Sequence, residues 1–294
     1  MAALNLTDEY IIKKIDELPT LPTIIYELSR VINDPMSSTS EVEKIMANDM
    51  SITTKVLKLA NSAYYAIPGG VSSLSRAIAY LGFDTVNQLV LSSSIIKALE
   101  IDPPSKFDIN QFWTHSIGVG IASEVIAKEV KHPMPSDLFT SGLTHDIGKV
   151  AQYTIDAESM VRIAELAIEK NMTYADSESE LSLPTHTKIG GLLAEKWQLP
   201  QEIVVAIKFH HQLDPNKRMG ISAKLSQVVD IVYLANLLIH ALQFGHSGHS
   251  VRTGAPKELM ERLNIDPGDG FKKLLINIKN SLGQAEEFIK VIGS

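Results

Sequence analysis

Apolar residues recur every three or four positions along almost the whole of this 294-residue chain. No stretch alternates apolar and polar residues long enough to make a half-buried strand. That regularity restricts the fold to packed helices. "TLPTIIYELSRVIND" places Ile24, Leu28 and Val31 or Ile32 at helical spacing, and "SSTSEVEKIMAND" opens with capping residues before Val42, Ile45 and Met46. "SITTKVLKLANSAYY" aligns Ile52, Val56, Leu59 and Ala60, while "SSLSRAIAYLG" carries Leu74, Ile78 and Leu81 before Gly82 as a stop signal. The predicted fold class is all-α, a helical bundle with an additional N-terminal helical lobe.

The best internal boundary is "IDPPSKFD", Ile101 to Asp108, where two prolines interrupt the pattern. It divides the chain into an N-terminal helical lobe, residues 1–105, and a second helical lobe with C-terminal helices, residues 106–294. "TYADSESELS" is most simply a solvated loop. No internal repeat or low-complexity segment is present.

With 45% hydrophobic and 21% charged residues, the chain can fill a sizeable core. A net charge of -7 and no long basic run leave no electrostatic footprint for DNA. The lack of cysteine excludes disulfides, zinc fingers, thiol catalysis and iron–sulfur ligation. The start, "MAALNLTDEYIIKK", does not resemble a signal peptide. The most apolar run, "IVYLANLLIHALQFG", is too short to span a bilayer and is interrupted by Asn236 and His240. The expectation is a soluble, cytoplasmic protein with no membrane partner.

Nine histidines remain to be sorted. "LTHDIGKV" sets His145 beside Asp146 in an apolar context that reads as helix, with Lys149 four residues after His145 and therefore on the same helical face. His115 lines up with Val119, Ala122 and Ile126; His186 lines up with Ile189 and Leu193; His210 and His211 end a helix whose inward residues are Ile203, Val204 and Ile207. Two readings stand. Each of the five can be a hydrogen-bonded core histidine. Alternatively, all five and Asp146 serve one metal centre, which satisfies several buried rings at once while the carboxylate balances charge. His132, His246 and His249 read as exposed, and His240 as a core residue with a hydrogen bond. Lys149 reads as a phosphate-holding residue, a solvated helix lysine or a partner of Asp146.

The "HD" pair, "HTKIGGLLAEKWQLP" and "IKFHH" resemble the HD superfamily of metal-dependent phosphohydrolases. "LPTLPTIIYELSRVIND", "IMANDMSITTKVLKLANSAYY" and "SLSRAIAYLGFDTVNQLVL" look like the HDOD family, a branch related to HD-GYP phosphodiesterases. The likeness covers approximately residues 15 to 240. It implies an HD-domain-like bundle and a ligand set of His115, His145, Asp146, His186, His210 and His211, with Asp146 able to bridge two metals. The last ligand of the pattern, an aspartate, falls on Asn236, and Asp230 is an out-of-register substitute. A glutamate used by some relatives is Gln111 here. The glycine-tyrosine-proline signature of HD-GYP enzymes is replaced by "HHQLDPNKRMG".

The resemblance implies a bacterial signal-transduction protein holding one or two divalent transition-metal ions, with iron, manganese, nickel and zinc suiting an imidazole and carboxylate set. As an enzyme it would hydrolyse a phosphoester or cyclic dinucleotide, with Asp146 and Lys149 as catalytic residues. The alternative is a non-catalytic signalling or interaction module in which the metal site is structural or binds a phosphorylated ligand or nucleotide, with a signalling protein as partner.

Overall fold

Helical period becomes helix throughout the computed structural model, which describes residues 7–32, 38–46, 49–100 and 107–292. Among them no strand occurs. The first six helices are α1 (Asp8–Glu17), α2 (Thr23–Ile32), α3 (Thr39–Met46), α4 (Met50–Ala60), α5 (Leu74–Leu81) and α6 (Phe83–Ala98). The next seven are α7 (Ile109–Glu129), α8 (Pro135–Thr144), α9 (Ile147–Ile155), α10 (Ala157–Glu169), α11 (Tyr174–Glu180), α12 (His186–Lys196) and α13 (Gln201–Phe209). The last four are α14 (Ala223–Leu242), α15 (Lys257–Arg262), α16 (Asp269–Gln284) and α17 (Glu286–Ile292). Side-chain caps start many of them: Asp108 accepts from the Asn110 and Gln111 N–H groups, Thr185 from Lys188 and Ser222 from Leu225.

Helix α7 is the axis of the second lobe. It is buried on most sides by α8, α14 and α16, with Phe112, Ile117, Val119, Ile121 and Ile126 fully enclosed. Two glycines let α7 and α8 approach: a Cβ on Gly142 would lie 2.9 Å from the Gly120 Cα. Helices α9 and α12 meet more closely still. A Cβ on Gly148 would lie 1.8 Å from the His186 carbonyl oxygen, and one on Gly190 would lie 3.0 Å from the Gly148 Cα. Only glycine admits that crossing.

Of the expected boundary, Ile101 to Asp108, residues 101–106 lie outside the described residues and Asp108 caps α7; the packing on either side is continuous. Helix α1 lies on α9 and α12, and α17 returns to α4. Lys196 Nζ donates to the carbonyls of Ile15, Asp16 and Leu18 at 2.7, 2.9 and 3.0 Å, closing the C-terminal end of α1. Trp197 Nε1 donates to Pro19 O at 2.9 Å. One apolar cluster runs from Ile11 to Phe288 through both lobes.

Helix α14 corrects the reading of the apolar run as too short. The run belongs to a helix of 20 residues, long and apolar enough to cross a membrane by length and composition alone. Its apolar face is instead enclosed by the bundle, with Val228, Val229, Ile231, Val232, Leu234 and Ile239 buried.

Candidate metal centre

The His-Asp pair does not lie inside one helix, as its apolar flanks suggest. Helix α8 ends at Thr144, His145 and Asp146 form a turn, and α9 begins at Ile147. The turn aims both side chains inward: His145 is 0% exposed and Asp146 1%. His145 closes the end of α8, its Nδ1 donating to Gly142 O at 2.7 Å. That bond places the proton on Nδ1 and leaves an Nε2 lone pair facing the interior.

The same device recurs on the other rings. His210 follows α13, and its Nδ1 donates to the carbonyls of Ala206 and Ile207 at 3.1 and 3.0 Å. His186 opens α12, and its Nδ1 donates to Glu178 Oε2 at 2.9 Å. The Nε2 atoms of His186, His210 and His211 face one another. His186 Nε2 is 3.3 Å from His210 Nε2 and 3.1 Å from His211 Nε2. Asp146 Oδ1 is 3.3 Å from both His186 Nε2 and His210 Nε2, and Asp146 Oδ2 is 3.3 Å from His145 Nε2. Asp146 Oδ1 and His145 Nε2 have no hydrogen-bond partner.

Two ligand groups result, and Asp146 belongs to both. One is Asp146, His186, His210 and His211; the other is His115, His145 and Asp146, with the ligand atoms of each group within 4.8 Å of one another. Helix α7 supplies His115, whose Nε2 lies 3.0 Å from Asn236 Oδ1 on α14 and whose Nδ1 has no partner. Asn236 thus stands beside the second group, at the place the family pattern gives to a carboxylate. Converging imidazole lone pairs, an unsatisfied carboxylate oxygen and near-complete burial fit a divalent transition metal in each group. His211 departs from expectation: it is exposed, so the centre reaches the surface there.

Electrostatics act on the donors in different directions. Burial pushes the Asp146 carboxyl up, but His145 and the Lys149 ammonium reverse this and hold it well below the usual carboxylate range. Burial drives His210 down to about 4, leaving it neutral near pH 7. Burial acts the same way on His186, but Glu178 and Asp146 outweigh it and raise that ring.

Lys149 is neither solvated nor carried on a helix that includes His145. It is 1% exposed, and its Nζ contacts Asp146 Oδ2 at 2.6 Å, Ser247 O at 2.9 Å and Ser247 Oγ at 3.4 Å. The Tyr174 ring centroid lies 4.6 Å from the same ammonium.

Several expectations are corrected here. "DSESE" belongs to α11, and Glu178 within it is fully buried, donating nothing and accepting from the His186 N–H at 2.6 Å as well as from its ring. The spacing of Tyr174, Ser177 and Glu178 carried the helical signal. Gln152 joins them, accepting from Tyr174 Oη at 2.8 Å and donating to Glu178 Oε1 at 3.3 Å. His132 and His249 are buried, 5% and 7% exposed, whereas His246 is exposed as expected. His240 stacks between His115 and His249, ring centroids 4.4 and 4.2 Å away, because the segment after α14 folds back over α7. Asp230 is not a ligand: it accepts from Arg218 and Arg262. Gln111 is exposed, and its carbonyl accepts from the His246 N–H at 3.0 Å.

Comparison with known proteins adds the family. A model described as the HDOD domain matches residues 18–213. An uncharacterized protein of Treponema pallidum is 26% identical over 201 residues, 68% of this chain; the match spans only 39% of that relative. A solved structure from Shewanella amazonensis, of a candidate phosphohydrolase, superposes with a TM-score of 0.74 at 24% identity, covering 96% of this chain and 98% of the other. One from Marinobacter aquaeolei, of a candidate signal transduction protein, has a TM-score of 0.75 at 18% identity, covering 99% of this chain and 68% of the other. At these identities the likeness carries the fold.

Proposed function

The chain belongs to the HDOD family, and on that premise we propose that it is a bacterial signal-transduction protein whose buried centre holds one or two divalent transition-metal ions and hydrolyses a phosphoester. The observation that carries this reading is the position of Asp146, its two oxygens each directed to a separate group of imidazole nitrogens. Iron, manganese, nickel and zinc match that donor set. When bound, such a metal supplies Lewis acidity toward a phosphoryl oxygen and acidifies water.

The chain's own residues set the conditions. Carbonyl acceptors at Gly142, Ala206 and Ile207 and the Glu178 carboxylate hold the ring protons on Nδ1 and keep the Nε2 lone pairs directed inward. Lys149 balances the Asp146 charge rather than waiting free for substrate. Exposed His211 marks the side from which a phosphoester approaches.

A second reading, a signalling module without turnover, is favoured by one observation: Asn236 supplies a neutral amide where the pattern has a carboxylate. A single set of measurements separates the two. Elemental analysis of purified protein is expected to find metal near stoichiometry. Protein loaded with iron, manganese, nickel or zinc is expected to cleave bis(p-nitrophenyl) phosphate or a cyclic dinucleotide, and the His145→Ala, Asp146→Ala double variant is not. Metal without turnover supports the second reading; absence of metal binding removes the first.

A further inference from the structure

The segment that follows α14 lies across one of the two ligand groups. Gln243 ends α14 in the left-handed conformation, and residues 244–249 fold back over the His115 turn of α7. Two glycines at positive φ allow the close approach, Gly245 at +72° and Gly248 at +98°. A Cβ on Gly245 would lie 2.2 Å from the His115 backbone nitrogen, and one on Gly248 would lie 2.8 Å from the Tyr174 ring. The His246 N–H fastens the segment to Gln111 O at 3.0 Å.

Ser247, between the glycines, is 0% exposed, and its carbonyl and hydroxyl accept from Lys149 Nζ at 2.9 and 3.4 Å. Lys149 in turn holds Asp146 Oδ2, the oxygen that faces His145. His249 follows, 7% exposed, its ring against His240, which lies against His115. The segment therefore reaches the group of His115, His145 and Asp146 at three places: the His115 backbone, the Lys149–Asp146 pair and the stacked rings. The other group, Asp146, His186, His210 and His211, differs because His211 is exposed.

We infer that residues 245–249 form a strap that closes the metal position at His115, His145 and Asp146, so that the two positions exchange their ions at different rates. An ion at the His211 position meets solvent directly. One beneath the strap leaves when the strap lifts, a local opening whose free energy adds to the barrier. Such an opening is confined, because the chain just beyond the strap, Ser250 and Arg252 to Gly254, is exposed and gives way without disturbing the bundle. The inference rests on the reading of both groups as metal sites. It gives a role to a segment beyond residues 18–213, which the family model matches.

The test is the release of zinc from the loaded full chain into excess chromogenic chelator, followed by stopped flow. Two ions per chain are expected, released in two phases of equal amplitude, the slow one at least roughly tenfold slower than the fast. His249→Ala removes the outer ring of the stack, and Gly248→Val pushes the strap from Tyr174. Each is expected to speed the slow phase roughly tenfold, the rate change from losing one ring or hydrogen-bond contact, with the fast phase unchanged. His249 lies at the outer end of the stack, so its variant remains informative where Gly248→Val fails to fold. Release in a single phase overturns the inference, as does an unchanged slow phase in folded His249→Ala. Binding of one ion per chain overturns the strap but leaves the metal centre standing, whereas absence of any bound ion removes both.

Discussion

Glu178 grips His186 at two points: its Oε2 accepts from the ring Nδ1 at 2.9 Å and its Oε1 from the backbone N–H at 2.6 Å. Both residues are 0% exposed. The carboxylate therefore sets the ring's tautomer and its angle together, and a metal held by Nε2 depends on it. Glu178→Gln is expected to lower metal affinity by about 10–100-fold. Competition with a chromogenic chelator measures this, and unchanged affinity would show that Glu178 serves packing alone.

The contact of α9 with α12 has no room for a methyl group. Gly148→Ala is expected to destabilise the protein by about 3 kcal/mol, since the added Cβ meets the His186 carbonyl and the two helices must separate. Because that separation also moves His186 from Asp146, metal retention is expected to fall with it. Urea unfolding and elemental analysis on the same preparation check both effects; a stable variant with full metal content contradicts the account.

Lys149 and Asp146 form a buried pair at 2.6 Å. Replacing Lys149 by Met leaves an uncompensated carboxylate, and about 3–5 kcal/mol of stability is expected to disappear from the metal-free protein. Zinc or manganese is expected to restore part of that loss by balancing Asp146 in the lysine's place. Thermal unfolding with and without metal is the measurement, and an equal loss in both states would refute charge balance as the role of Lys149.

Asn236 invites the reverse substitution. Asn236→Asp places a second carboxylate 3.0 Å from His115 Nε2. The metal-free variant is expected to unfold at lower temperature than wild type, because the added charge is buried. The metal-loaded variant is expected to bind metal more tightly and to hydrolyse phosphodiester faster. A variant that gains neither affinity nor rate places Asn236 outside the ligand set.

Asp137 gives a pH dependence with a definite sign. Burial raises its folded value from 3.8 to about 6, so the folded state holds the proton more tightly than the unfolded state. Its contribution is therefore most favourable at low pH, falls as pH rises from roughly 4 to roughly 6, and is constant above. Asp137→Asn retains an acceptor for Gln88 and is expected to stabilise the protein at neutral pH by on the order of 1 kcal/mol, after allowance for solvent screening. The gain is expected to shrink in acid. Denaturant midpoints across that window decide it; a pH-independent difference would contradict the raised carboxyl.

Much of the site was legible in the chain because each ligand sits on an apolar stripe. His115 shares one with Val119 and Ile126, and His186 another with Ile189 and Leu193, all buried. Glu178 was obscured by its neighbours: Asp176 and Glu180, on the same short helix, are solvated, and the composition of "DSESE" reads as surface. His249 was hidden by glycine and serine on either side, which hide the return of that segment beside His240. The break at His145 and Asp146, between α8 and α9, was equally invisible, since apolar flanks continue on both sides of it.

The sequence by itself determined the helices, through the period of its apolar residues, and the identities of the converging histidines, through their places on those stripes. Periodicity is local, and a chain of this kind carries it without reference to any distant residue. Tertiary structure alone decided that Asp146 stands between two histidine groups, that Lys149 is spent on it, and that Glu178 supports His186. It also decided that α14, apolar enough for a membrane, is enclosed by its neighbours. Those outcomes depend on which helices cross and how closely. The crossing of α9 with α12 rests on the absence of two methyl groups, at Gly148 and Gly190, whose meaning appears only when the two helices touch.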